Sequence, residues 1–269
     1  MHRQGFLAAV VLGIVAATLS VLGATGPAAA ASGAGPGRVG PGTLMVTAGR
    51  SCSASFVFRD ARGRVLLGYA ASCATRAAVT DANACQARSL PLGTRVRLAD
   101  GGRLVGYGVL RYSSLRALRR AGVTDAATCA ANDFALVEVR GAARRLVSPS
   151  VPFWGGPSGV GALPATGSTV FGLARPSAAG RTLPRAGEVG AVTGSRAAVS
   201  TPLPGTGVER GSGFLDSAGR AVGILTAPSA AGDNVVASLA DAVDYARRHG
   251  VPGLRLVRGA DAFGGAAVL

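Results

Sequence analysis

Short runs in which apolar and polar positions alternate with period two recur along most of the chain, separated by turn residues. Leu44-Met45-Val46-Thr47 predicts a first strand, residues 52–58 a second, and residues 64–70 a third that is apolar on both faces toward its end. Asp60-Ala61-Arg62-Gly63 supplies the turn between the second and third. Residues 95–98 and 103–110 flank Asp100-Gly101-Gly102, which is hairpin chemistry. Further strands are predicted over residues 132–139, 169–174, 189–193, 197–200, 214–215, 221–226 and 235–239. The period shifts toward that of a helix at two places. Ser113 or Ser114 can cap a short helix through Leu115, Leu118 and Arg120, ended by Gly122. Leu239, Ala242, Val243 and Ala246 then recur at helical spacing, with Arg247, Arg248 and His249 in the last turn and Gly250 closing it. Many short strands, Gly-rich turns and little helix predict an all-β barrel or sandwich.

The N-terminus departs from this pattern. His2 and Arg3 precede an apolar run over residues 6–22, and Ala28-Ala29-Ala30-Ala31 follows it. This is the order of a secretion signal with a small-residue cleavage site, or, uncleaved, of a membrane anchor. Cleavage places residues 1–31 in the signal and leaves no later membrane span. Residues 32–43, rich in Gly, Ala and Pro, are expected to form a flexible leader.

The chain has 269 residues, 48% of them hydrophobic, so a sizeable core is available. The formal charge is +15, and all 28 basic residues are Arg. An Arg excess can attract an anionic partner such as an envelope polymer or nucleic acid. Here the arginines are scattered, with only the pairs Arg119-Arg120, Arg144-Arg145 and Arg247-Arg248, and no aromatic residues interleave with them. That argues against nucleic acid. Cys52, Cys73, Cys85 and Cys129 are an even set in an exported chain, which implies two disulfides of open connectivity. With no Cys-x-x-Cys pair, and with His2 and His249 remote, neither a metal nor a cofactor is expected. Trp154, within the Pro- and Gly-rich break at residues 149–161, is expected in the core rather than as an exposed stacking ring.

Three segments carry a resemblance. Ala70-Ala71-Ser72-Cys73, Asn132-Asp133-Phe134-Ala135-Leu136 and Val208-Glu209-Arg210-Gly211 resemble, in order, the three active-site elements of the secreted bacterial trypsin-like serine proteases. The family carries Ala-Ala-His-Cys, Asn-Asp-Ile/Phe-Ala-Leu and Gly-Asp-Ser-Gly there. The likeness runs from about Leu44 to Gly250. It implies two six-stranded antiparallel β-barrels with a short C-terminal helix. The first barrel would span residues 44–148, the second with the helix residues 149–250, and an unassigned tail residues 251–269. It also implies a Cys52–Cys73 disulfide and, with it, a Cys85–Cys129 one.

The resemblance puts the roles of base, orienting acid and nucleophile on Ser72, Asp133 and Arg210, and the oxyanion loop on Val208, Glu209 and Gly211. Only Asp133 is a residue type suited to its role. A serine cannot act as a base near neutral pH, an always-protonated guanidinium is no nucleophile, and a β-branched Val208 resists unusual backbone angles. Ser212 as a displaced nucleophile lies two residues past the proper place, with His249 as the one remaining imidazole in the mature chain. The expected function is therefore that of a secreted, monomeric pseudoprotease that binds a protein, a peptide or an anionic envelope polymer. The alternatives are an active serine hydrolase with an altered site and a basic polyanion-binding protein. Arg210 is expected to reach into the space left by the imidazole and pair with Asp133, beside Ser72; the competing expectation is that Glu209 or solvent neutralises Arg210.

Overall fold

The computed structural model describes residues 37–203, 205–229 and 231–268; the predicted signal, residues 1–31, and residues 32–36 of the leader lie outside them. Strands β1 (Leu44–Thr47), β2 (Arg50–Ser53), β3 (Val57–Arg59), β4 (Val65–Tyr69), β5 (Arg95–Asp100), β6 (Arg103–Ser113) and β7 (Ala135–Arg140) build the first half. Helices α1 (Ser114–Arg120) and α2 (Ala126–Ala131) stand between β6 and β7. Strands β8 (Thr169–Ala174), β9 (Leu183–Thr193), β10 (Arg196–Ser200), β11 (Gly213–Leu215), β12 (Ala221–Ala227) and β13 (Asp233–Ser238) build the second half. Helix α3 (Leu239–Arg248) and a short strand β14 (Arg255–Leu256) follow.

The second half is a closed barrel in the order β10-β13-β12-β11-β8-β9, and the first sheet runs β14-β3-β4-β7-β6-β5-β1-β2. In that order β2 and β3 stand six strand spacings apart, roughly 29 Å in a flat sheet. The chain joins them through Ala54, Ser55 and Phe56 alone, a reach of at most about 14 Å. The sheet must therefore roll until its ends meet. β2 and β3 are then two halves of one bent strand, and the first half is also a six-stranded barrel. The single strand expected over residues 52–58 is broken at this corner, where Ala54 N bonds Thr43 O at 2.9 Å and Ser55 N bonds Gly68 O at 2.7 Å. The hairpin β5–β6 turns at Gly101 and Gly102, with φ of 52° and 81°, a backbone that glycine adopts without cost.

Alternation sends Met45, Leu67, Leu98, Leu110 and Val137 inside the first barrel, and Val170, Val199, Leu225 and Val236 inside the second. A third cluster lies between the two and joins Phe56, Phe58 and Phe134 to Phe171, Leu215, Ile224 and the apolar face of α3. Trp154 is fully buried in it, as expected, and donates its indole N–H to Gly172 O at 2.6 Å. Ser238 caps α3, accepting from Asp241 N at 3.3 Å.

Three local expectations need correction. The flexible leader is packed over residues 39–43: Val39 N bonds Leu146 O and Ser148 N bonds Val39 O, both at 2.9 Å, which ties this stretch to the segment after β7. Neither Ser113 nor Ser114 caps α1 with its side chain; Ser114 Oγ instead donates to Asn132 O and accepts from Phe134 N, tying α1 to the segment ahead of β7. The unassigned tail is part of the fold. β14 pairs with β3, and Ser150 Oγ then accepts from Ala260 N and Asp261 N at 3.0 and 3.1 Å. Among the described residues no helix is long and apolar enough to cross a membrane.

Candidate functional site

Ser72 lies in a 3₁₀ turn, Ala71–Ala74, that ends β4, and Cys73 in the same turn is bonded to Cys52 on β2. Asp133 lies between α2 and β7, clamped on both sides by the Ser114 hydroxyl. The second disulfide, Cys85–Cys129, anchors α2 to the loop after Ser72. Both disulfides have the expected pairing.

These constraints bring Ser72 and Asp133 into direct contact. Ser72 N donates to Asp133 Oδ1 at 2.6 Å, and Ser72 Oγ donates to Oδ2 at 2.7 Å. Both residues are buried. Burial pushes the Asp133 carboxyl above the ordinary carboxylate range, while the Ser72 hydrogen bonds and the positive charge of Arg210 oppose that rise. Ser72 thus occupies both oxygens of the Asp133 carboxyl.

The loop carrying Arg210 is shaped by its neighbours on either side. Thr206 caps a 3₁₀ turn, Gly207–Glu209, reciprocally with Glu209. The Glu209 carboxylate is buried and accepts from Arg175 N and from Arg185 Nη1, both at 2.6 Å. Arg185 is itself fully buried, and its Nε and Nη2 have no partner among the described residues, so Glu209 is its counter-ion. Gly211 has φ of 87°, and a Cβ there would lie 2.6 Å from both Ala70 N and Ser53 O. Only glycine fits where the loop meets the first barrel. Ser53 completes the seam, its N donating to Arg210 O and its Oγ to Val208 O, each at 2.9 Å. Val208 sits within the 3₁₀ turn and is not among the residues of positive φ, so this backbone suits a β-branched residue.

The expected Arg210–Asp133 ion pair does not form. Arg210 Nη1 donates instead to the Thr226 carbonyl on β12. Glu209 does not neutralise Arg210 either, because Arg185 has claimed it. Ser212 is buried, with its Oγ unpartnered among the described residues. His249 closes α3 and stacks on Tyr245 at 4.2 Å between ring centroids, and lines neither cavity beside Arg210.

Two cavities flank Arg210. One, of about 430 Å³, is lined by Asp133, Thr226, Arg196 and residues 79–82; the other, of about 240 Å³, is lined by Arg50, Ser51, Ser72 and Gly207. Val79 and Arg210 line both and form the partition. A larger cavity of about 900 Å³ lies among α2, the β9–β10 hairpin and α3, and contains none of Ser72, Asp133 and Arg210. Among the described residues no cluster of three or more His, Cys, Asp or Glu is arranged to hold a metal.

Sequence reasoning missed Arg185, Thr226, Ser53 and the pair Asp81–Arg196, whose partners lie 24, 16, 155 and 115 residues away along the chain. It also missed α2, although Asp125 ahead of an Ala-rich run is a cap signal: its carboxylate accepts from Thr128 N at 2.7 Å.

Two antiparallel barrels with a C-terminal helix, and a cleft loop held by a positive-φ glycine, define the chymotrypsin-type fold of the bacterial trypsin-like serine proteases. Among solved structures, Thermobifida fusca Protease A is similar over 82% of this chain and 100% of its own, at 16% identity and a TM-score of 0.50. Nocardiopsis protease (NAPase) is similar over 81% of this chain and 98% of its own, at 18% identity and a TM-score of 0.51. At these identities the likeness is one of fold. No family model matches the chain, and no curated protein matches it by sequence.

Proposed function

We propose that this protein is an exported, catalytically silent member of the trypsin-like fold that acts by binding in the former substrate cleft. The observation that carries this reading is the double hydrogen bond from Ser72 to Asp133. Acyl transfer by a Ser-His-Asp triad needs an imidazole that takes a proton from the nucleophile and is held by the acid. Both oxygens of the acid are here bonded to Ser72, and the nucleophile position holds a guanidinium tethered to Thr226 O. Ser212 offers no substitute, because its hydroxyl is buried away from both cavities. A protein, a peptide or an envelope polymer are the ligand classes suited to such a cleft. Two disulfides and the N-terminal signal pattern support export.

The test is a fluorophosphonate probe on the purified protein. The expected result is no stoichiometric labelling at neutral pH. Labelling that disappears in Ser212→Ala would overturn this reading and establish a serine hydrolase with a displaced nucleophile.

A further inference from the structure

Two arginines beside the cleft have acidic partners: Arg185 has Glu209, and Arg196 has Asp81. Among the described residues Arg50 and Arg210 have none. Neutral carbonyl oxygens hold them instead. Arg50 donates from Nε to Thr75 O at 3.1 Å and from Nη2 to Arg76 O at 3.3 Å, and Arg210 donates from Nη1 to Thr226 O. A carbonyl orients a guanidinium without cancelling its charge. Arg50 and Arg210 are both among the residues that line the cavity of about 240 Å³, and none of the described residues lining it is acidic. Asp133, behind Ser72, turns both carboxylate oxygens to Ser72 N and Oγ.

The cavity is also blocked on one side. Val79 and Arg210 lie between it and the cavity of about 430 Å³. Asp81, two residues along from Val79, bonds Arg196 on β10 at 2.7 and 3.3 Å. The Cys85–Cys129 disulfide fixes the far end of the same loop. This loop straps the first barrel to the second across the cleft. A chain that enters the cavity meets the strap, so a chain end fits where a chain running through does not.

We propose that the cavity between Arg50 and Arg210 binds the C-terminal carboxylate of a peptide or protein. The proposal rests on the reading of the cleft as a binding site and names its ligand class. Guanidinium forks match a carboxylate with paired N–H donors, and among the described residues Arg210 Nε and Nη2 have no partner. The Ser51 hydroxyl adds a donor, and Val79 with the Cys52–Cys73 disulfide offers an apolar wall to the last side chain. A cavity of this size holds one anionic group, whereas a polyanion requires a row of cations.

The experiment is isothermal titration of the full mature protein with a pool of acetylated tetrapeptides, Ac-Ala-Ala-Ala-X. X runs over the twenty amino acids, and a matched pool ends in the amide. The acid pool is expected to bind about tenfold or more tightly than the amide pool, and Arg210→Gln and Arg50→Gln are each expected to abolish that difference. Arg210→Lys should retain part of it, which separates charge recognition from loss of fold. Equal binding of the two pools, or no binding of either, would overturn the proposal. So would binding of polyphosphate in its place with a steep salt dependence, which belongs to a polyanion-binding face. Fluorophosphonate labelling would overturn the underlying reading, whereas an unlabelled protein indifferent to the carboxylate would overturn only this inference.

Discussion

The two walls of the cleft are held by different physics. On the first-barrel wall, two disulfides and the Ser114 clamp fix Ser72 and Asp133. On the second-barrel wall the loop from Thr206 to Ser212 has no disulfide, and a buried ion pair, Arg185–Glu209, fixes it. Ser72 is structural, since it satisfies a buried carboxylate. Arg210 is not. Glu209 before it and Gly211 after it carry the loop's shape, while the Arg210 side chain makes one bond among the described residues, to a carbonyl. A position whose neighbours hold its backbone can change side chain without unfolding the loop. A position bonded to a buried acid cannot be changed so freely.

Substitutions can break this comparison in descending order of effect. Glu209→Ala should destabilise most, by about 3–5 kcal/mol in urea denaturation, because it strands a buried Arg185. Glu209→Leu combined with Arg185→Met should recover much of that loss; a single variant costing under about 1 kcal/mol would show that the pair does not hold this wall. Cys52→Ser with Cys73→Ser should cost about 3 kcal/mol on the covalent wall, measured the same way. Ser72→Ala should cost about 1–3 kcal/mol by depriving buried Asp133 of a donor, whereas Arg210→Ala should stay within about 1 kcal/mol. Equal costs at positions 72 and 210 would erase the contrast.

The smallest effect is in the pH dependence, where two buried aspartates have opposite signs. Burial raises the Asp60 carboxyl, but Arg64's hydrogen bonds and charge outweigh it and hold the group below the ordinary carboxylate range. Asp60 therefore contributes stability that is present above about pH 3.9 and lost as pH falls through its lower folded value. Asp133, pushed up by burial, contributes stability that is full below about pH 3.9 and lost as pH rises through its folded value. In denaturation across this range, Asp60→Asn should lessen the acid loss, and Asp133→Asn should steepen the rise in stability with pH above about 4. The reverse pattern would contradict the assigned environments.

Much of the fold was legible in the residues. Alternation marked the strands around Leu44, Val65 and Leu225, and the Gly101-Gly102 turn located its hairpin, because both signals are local and repeat with the backbone's own period. The bend at Ala54-Ser55-Phe56 was hidden, since a strand that changes partners keeps its alternation. The tail was hidden too, because a strand as short as Arg255–Leu256 has no period to detect.

By itself, the sequence determined the alternating strands, the turns and an even set of cysteines, because each depends on spacing and residue type along the chain, whereas the two barrels and the cysteine pairing were implied only by the resemblance. Only the tertiary structure decided which charge met which partner. Asp133 went to Ser72, Glu209 to Arg185 and Arg210 to Thr226, across separations of 61, 24 and 16 residues. Side chains with several donors or acceptors compete for whatever folding brings within about 3 Å. That competition is settled by distance and burial, neither of which is written in the order of the residues.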